Sequence, residues 1–91
     1  PPASVDFLAS VVTRLEELKS PKAAEPILFL RMHIAQHKLE TGDAAACKTM
    51  MEAGKDTLEG LTDTDPSVSA AVYYVTSLYH KSLGNFAEYY K

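Results

Sequence analysis

The stretch that decides the fold is KLETGDAAACK, residues 38–48, where one helical pattern ends at Gly42 and another starts after Asp43. Glycine adopts the left-handed conformation that closes a helix, and aspartate accepts hydrogen bonds from the first amides of the next helix. The same order of residues returns in HKSLGNFAEYY, residues 80–90, where Gly84 lies 42 residues after Gly42. The sequence therefore contains two copies of a helix, a tight glycine turn and a second helix.

Four helices and the start of a fifth are predicted around these turns, because apolar residues recur at helical spacing. They cover about residues 4–19, 23–41, 44–59 and 66–83, and the fifth begins at 86–91. Ser4 is the expected N-cap of the first helix, and Ser20-Pro21 is its expected end, since a residue before proline avoids the α region. Asp65-Pro66 is the clearest start, an N-cap followed by proline at the first helical position.

The second predicted helix is apolar on more than one side. A main stripe runs along it, and further apolar residues widen that surface: Ala24, Leu28, Met32, Ala35 and Leu39, then Ile27, Ile34 and Leu30. One neighbouring helix cannot cover so broad a face, so this helix is expected to lie inside a stack. Gly54 lies on the predicted buried arc of the third helix, where either close helix approach or simple tolerance explains it.

These patterns predict an all-α fold in which residues 1–91 form a single unit of antiparallel helical hairpins. A period of about 40 residues is within the range of helical-hairpin solenoids, and it exceeds the 34 residues typical of tetratricopeptide (TPR) repeats. Two antiparallel hairpins in a simple four-helix bundle would show the same turns. Solenoid and bundle therefore both stay open at this level.

Composition excludes several classes of protein. The formal net charge is −3, and the nine Lys and Arg residues are scattered, which argues against a nucleic-acid partner. The single cysteine, Cys47, cannot form an internal disulfide, which suits a reducing compartment. No apolar run approaches the length of about 20 residues that a membrane helix needs. The opening Pro-Pro without Met indicates a fragment of a longer protein.

Candidate catalytic and metal-binding residues all have simpler explanations. His33 and His37 share a helix face, but a third zinc ligand is missing unless Glu40 supplies it, so no metal is predicted. Cys47 lies on an apolar stripe, as a small buried hydrophobe would. Glu16-Glu17 and the Asp63/Asp65 pair are assigned to a solvated helix side and to a capping connector. The four glycines occur singly, so no phosphate-binding loop, cofactor or small-molecule substrate is predicted.

Aromatic residues gather near the carboxyl end, namely Tyr73, Tyr74, Tyr89 and Tyr90. Tyrosine is common at protein contacts because one end of its side chain is apolar and the other polar. Packing on the next hairpin is favoured over binding of a foreign partner. The candidate packing or partner contacts are Tyr73, Tyr74, His80, Phe86 and Tyr90.

Several segments together resemble a known family in order and spacing. They are Glu25-Pro26-Ile27-Leu28-Phe29-Leu30, Lys38-Leu39-Glu40-Thr41-Gly42-Asp43, Cys47-Lys48, Asp65-Pro66-Ser67-Val68, Tyr79-His80-Lys81 and Phe86-Ala87-Glu88-Tyr89-Tyr90-Lys91. The chain resembles, from about Phe7 to Lys91, the N-terminal helical-repeat region of the 26S proteasome non-ATPase regulatory subunit 13 family of PCI lid subunits. The resemblance implies a right-handed, TPR-like solenoid that leads into a winged-helix PCI module outside these residues.

The resemblance also implies a function without catalysis. Members of this family are structural subunits of the regulatory particle lid, so the chain is expected to be an assembly scaffold in ubiquitin-dependent protein degradation, in cytoplasm and nucleus. Its partners would be other lid subunits, and no catalytic residue is carried over. A rival hypothesis is a peptide- or ubiquitin-binding adaptor that uses the His33/His37 side or the tyrosines as a groove.

Overall fold

The computed structural model describes residues 2–84, with side chains from residue 5 onward. It contains four α-helices: α1 (Pro2–Glu17), α2 (Ala24–Glu40), α3 (Ala44–Glu59) and α4 (Pro66–Ser82), with a short 3-10 turn at Pro21–Ala23 before α2. No strand occurs in this part of the chain, so the all-α prediction is confirmed. The expected fifth helix at 86–91 lies outside the described residues. None of the described helices combines the length and the apolar character needed to cross a membrane.

The bounds of α1 were predicted wrongly at both ends. The helix begins at Pro2, so Ser4 lies inside it and is not the N-cap. It ends at Glu17 rather than Lys19, because Lys19 has a left-handed φ of 52°. The amide of Lys19 then donates to the carbonyl of Glu16 at 3.1 Å, which tightens the last turn. Ser20 is extended (φ −95°, ψ 134°), as expected for a residue before proline.

The turn at Gly42 has the predicted geometry. Gly42 has a φ of 94°, and its amide donates to the carbonyl of Leu39 at 3.1 Å. The amide of Asp43 reaches back to the carbonyl of Lys38 at 2.8 Å, which completes a Schellman motif. The Asp43 carboxylate also accepts the amide of Ala46 at 3.1 Å. Three residues thus close α2 and open α3, so the two helices are antiparallel neighbours.

The backbone at Gly84 has the same geometry as the first half of the Gly42 turn. Its φ is 78°, and its amide donates to the carbonyl of Lys81 at 3.0 Å. Gly84 therefore stands in the same position after α4 as Gly42 does after α2, with the predicted spacing.

Helices α2 and α4 run in the same direction. The amide of Asp65, just before α4, donates to Oε1 of Glu25 in the first turn of α2 at 2.8 Å. Both amino-terminal ends therefore lie at one end of the molecule, with α3 running antiparallel between them. In a stack of antiparallel hairpins, alternate helices likewise run parallel to each other.

The packing order differs from that of a closed four-helix bundle. Helix α2 packs against α1, α3 and α4, whereas α1 has no extended packing with α4. A closed bundle would bring its first and last helices together. The molecule measures 39 × 33 × 18 Å, a slab about two helices thick. The described helices therefore form an open arrangement.

The core is formed by α2, α3 and α4 and consists of Leu28, Met32, Ala35, Cys47, Met51, Val68, Val72, Val75 and Tyr79. Gly54 lets two of these helices approach closely. A Cβ added there would lie 2.8 Å from Cε of Met32 and 3.2 Å from Cδ1 of Leu28. A Cβ would thus require the Met32 side chain to shift, which favours close helix approach over simple tolerance.

Candidate interaction surface

A groove of about 390 Å³ runs between α2 and α4, and we call it the α2/α4 groove. Its lining comes from Phe29, Met32, His33 and Gln36 of α2 and from Ser67, Ala70, Ala71, Tyr74 and Val75 of α4. The groove exists because Ser67, Ala70 and Ala71 are small. They lie within about one helical turn of one another, on the side of α4 that faces α2. The larger Phe29 and Tyr74 form its walls.

The chemistry of the α2/α4 groove is mostly apolar. No charged residue lines it, and the polar atoms belong to His33, Gln36, Ser67 and Tyr74. The rings of Phe29 and His33 meet edge to face with centroids 4.7 Å apart, which fixes one wall. Such a groove suits an apolar side chain with a few hydrogen bonds at its edge.

One end of the α2/α4 groove is acidic. Glu25 lies one helical turn before Phe29, and the Asp65 carboxylate accepts both the amide and the hydroxyl of Ser67 at 2.8 Å. The backbone hydrogen bond from Ser67, followed by its hydroxyl, lowers the pKa of the Asp65 carboxyl. Asp65 is therefore a carboxylate at neutral pH. Oε1 of Glu25 accepts the amide of Asp65 at 2.8 Å, so the two acids are neighbours, although neither of them lines the groove.

A second groove, of about 350 Å³, lies above α2 between α3 and the end of α1. Gly54 and Ala53 line it from α3, and Glu16 lines it from α1. Arg31 bridges the groove edge by donating from Nη2 to Oε2 of Glu16 at 2.7 Å. Both partners are about half exposed, at 44% and 49%. The charges at this edge are therefore already paired.

The structure separates the predicted aromatic cluster into two sides of α4. Tyr73 and Tyr74 are 60% and 56% exposed, and consecutive residues on a helix point about 100° apart. Tyr74 faces the α2/α4 groove, and Tyr73 does not line it. His80 follows Tyr73 by seven residues and thus shares its side of the helix. Phe86 and Tyr90 lie outside the described residues.

His80 is half-buried at the carboxyl end of α4. Its ring meets that of Tyr79 at 5.6 Å between centroids, and its Nδ1 atom is buried without a hydrogen-bond partner among the described residues. Tyr73, on the same side of α4, is 60% exposed. His80 therefore lies at the edge of the packed structure.

The structure also shows where the other candidate residues from the sequence lie. Cys47 is buried in the core, and burial raises the pKa of its thiol, as expected for a small buried hydrophobe. His33 is exposed in the α2/α4 groove and His37 is half-buried. Between residues 2 and 84, no three His, Cys, Asp or Glu side chains are grouped to hold a metal ion. Asp63 adopts a left-handed φ of 53° in the connector before α4.

Sequence reasoning missed the α2/α4 groove and its acidic end. The available signal was the run of small residues Ser67, Ala70 and Ala71 followed by Tyr74 on one side of α4. The contact between Glu25 and Asp65 had no such signal, because the two residues are separated by 40 positions and meet only in the folded chain.

Comparison with known proteins gives consistent matches. The family described as PSD13 N-terminal repeats matches residues 1–91. The 26S proteasome non-ATPase regulatory subunit 13 homolog A of Arabidopsis thaliana is 43% identical over 89 residues, which cover 98% of this chain and 23% of that protein. Homolog B of the same plant is 42% identical over 89 residues, with the same coverage. The chain thus spans about a quarter of the length of these relatives.

Proposed function

We propose that this chain, which belongs to the family of PSD13 N-terminal repeats, is a non-catalytic scaffold segment of a subunit of the 26S proteasome regulatory particle lid. The observation that carries the proposal is the open packing order, in which α2 contacts three helices and α1 has no extended packing with α4. An arrangement of this kind can be extended by further hairpins, and a closed bundle cannot.

The carboxyl end of α4 supports this extension. Gly84 has the backbone conformation of Gly42, after which α3 turns back on α2. By the same geometry, a fifth helix beginning at 86–91 would turn back on α4. It would cover the side that carries Ala70 and Tyr74, the positions equivalent to Leu28 and Met32, which lie against Gly54 of α3. The chain would then be part of a right-handed, TPR-like solenoid whose rigidity sets the positions of neighbouring lid subunits.

The positions of the potentially reactive side chains support a structural role. Cys47 lies in the core, Asp43 and Asp65 cap helices, and Glu16 pairs with Arg31. Each is thus used by the fold itself. The proposal therefore includes no catalytic activity, with other lid subunits as partners and the cytoplasm and nucleus as the locations of the assembled particle.

Purification of the assembled particle tests the scaffold function. A tagged full-length protein that carries this chain is expected to be recovered with lid subunits in equal amounts. Removal of residues 1–91 is expected to lower the yield of complete lid and leave the separate ATPase subunits unchanged. Recovery of the protein mainly outside the particle would contradict the proposal.

A second candidate function is a peptide- or ubiquitin-binding adaptor, and one observation favours it. The α2/α4 groove brings His33 and Tyr74, proposed separately as recognition residues, onto one surface. Titration of the isotope-labelled chain with ubiquitin, followed by NMR, distinguishes the two functions. Saturable shifts of the groove residues at micromolar ubiquitin would favour the adaptor, and their absence would favour the scaffold.

A further inference from the structure

The second groove lies between helices that hold equivalent places in the stack. Helices α1 and α3 have the same length and differ by 42 positions, as do α2 and α4. The groove has α2 as its floor and α1 and α3 on its two sides, and these two helices have no extended packing with each other. In a stack of repeats each unit contacts only its neighbours, so a further hairpin would lie before α1 or beyond α4. Such a hairpin would leave the second groove open.

The α2/α4 groove does not share this property. Ala70 and Tyr74, on its α4 side, stand 42 positions after Leu28 and Met32 of α2. Those two residues of α2 lie against Gly54 of α3, so the next helix of the same chain would cover Ala70 and Tyr74. The second groove is therefore the better candidate for contact with a molecule outside the stack.

Each polar side chain that lines the second groove already has a partner within the chain. Arg31 donates from Nη2 to Oε2 of Glu16 at 2.7 Å. The hydroxyls of Thr49 and Thr57 each donate to the carbonyl four residues earlier, at 3.1 and 3.0 Å. A small ligand needs polar groups that fix its orientation, and a charged segment needs an opposite charge that is not yet paired. The lining therefore suits an uncharged apolar occupant.

The dimensions of the second groove match two turns of a helix. Its lining extends over residues 24–32 of α2 and 49–57 of α3. Each span covers eight residue steps, about 12 Å along a helix, which is slightly more than two turns. The α3 side is low, because Ala53 and Gly54 are small. A helix that packs in such a groove inserts side chains at i and i+3 or i+4, which are about 5–6 Å apart.

We propose that the second groove binds an amphipathic helix of a neighbouring subunit, which inserts two uncharged apolar side chains one helical turn apart. These side chains lie over Ile27 of α2 and beside Met50 and Ala53 of α3. The helix comes from outside the stack, because the hairpins of the stack itself continue beside α1 and α4. The inference rests on the proposed function for the presence of neighbouring subunits.

Site-specific photo-crosslinking in the assembled particle tests the proposal. A diazirine amino acid, which is too small to fill the groove, replaces Thr49 in the full-length protein that carries this chain. Mass spectrometry is expected to identify one segment of another subunit at position 49, with apolar residues three or four positions apart at the attachment point. Lys48 is the matched control position, since it is also exposed on α3 but does not line the groove. Consecutive side chains on a helix point about 100° apart, so the yield of that segment at position 48 is expected to be about tenfold lower.

Two matched pairs of variants show whether the capture depends on the groove. Thr57→Trp fills the second groove and is expected to lower the crosslink yield at position 49 by about tenfold. With Asp56→Trp, at an exposed neighbour outside the lining, the yield is expected to stay within about twofold of the unmodified level.

The second pair tests the apolar character of the occupant, and it keeps the test decisive if Thr57→Trp fails to fold. Ala53→Lys introduces an unpaired charge into the lining, and an about fivefold loss of yield is expected. Glu52→Lys places the same side chain outside the lining, and the yield is expected to stay within about twofold.

Several outcomes would overturn the proposal. They are capture at position 49 of a later part of the same polypeptide, of a second copy, of a segment without the paired apolar residues, or of nothing. Equal losses within either pair of variants would also overturn it. Recovery of the protein with the lid but without a crosslink refutes this inference alone, whereas recovery of the protein mainly outside the particle refutes the proposed function.

Discussion

Helices α2 and α4 are a matched pair with different surroundings. Each is 17 residues long, and each is followed by a left-handed glycine. Helix α2 packs against three other helices, and Met32 near its centre is only 1% exposed. Helix α4 buries one stripe and leaves Tyr73 and Tyr74 more than half exposed. Within residues 2–84, the helix with more packed neighbours thus leaves fewer large side chains exposed.

The largest expected effect comes from truncating the centre of α2. Met32→Ala removes a side chain that contacts both α3 and the floor of the α2/α4 groove, so we expect the free energy of unfolding to fall by about 2–5 kcal/mol. Tyr74→Ala on α4 is the matched variant, and we expect a loss below about 1 kcal/mol because its side chain is largely exposed. Urea denaturation followed by circular dichroism measures both. Equal losses would remove the distinction between the two helices.

A smaller effect is expected where α3 approaches α2. Gly54→Val places a branched side chain against Met32 and Leu28, and overpacking of this kind costs about 1–3 kcal/mol. Gly60→Val is the control, since a Cβ there meets only the carbonyl oxygen of Thr57 at 3.5 Å and that of Asp56 at 4.0 Å. Thermal unfolding of both variants gives the comparison. A Gly54→Val protein as stable as the Gly60→Val protein would mean that the close approach is not needed.

The two left-handed glycines provide the next comparison. Gly42→Ala has space for the methyl group but requires a φ of 94°, which costs a residue with a Cβ about 1–2 kcal/mol. Gly84→Ala has the same backbone penalty, but Gly84 follows the last described helix, whereas Gly42 lies between two helices that pack together. We therefore expect a clearly smaller loss of stability for Gly84→Ala in chemical denaturation. A loss as large as that of Gly42→Ala would show that residues after Gly84 already pack on α4.

The smallest effect concerns the starts of the two helices. Helix α2 has no side-chain cap, whereas α4 is capped by Asp65. Hydrogen bonds lower the pKa of the Asp65 carboxyl, so its contribution to stability is present above the unfolded pKa and is lost as pH falls through the folded value. Ser67→Ala removes the hydroxyl donor but keeps the backbone amide, so the pKa should rise only part of the way. NMR titration of the Asp65 carboxyl measures this, and an unchanged pKa would show that the hydroxyl has no role.

Local features of the chain were predictable where neighbouring residues decide them. The Gly42 turn, the Asp43 and Asp65 caps and the bounds of α3 follow from short-range hydrogen bonds and backbone preferences. The end of α1 was predicted wrongly because Pro21 restricts only Ser20, and the left-handed turn at Lys19 comes two residues earlier. The α2/α4 groove was not predicted, since its walls come from residues about 40 positions apart.

The sequence by itself determined that this chain is helical, where most helices end, and which stripe of each is apolar, because these properties depend on residues within one or two turns. Only the tertiary structure decided the packing order, in which α2 contacts three helices and α1 has no extended packing with α4. It also assigned Gly54 to close packing and separated Tyr73 from Tyr74. These outcomes depend on which helices become neighbours, and a local pattern of apolar residues is compatible with more than one set of neighbours.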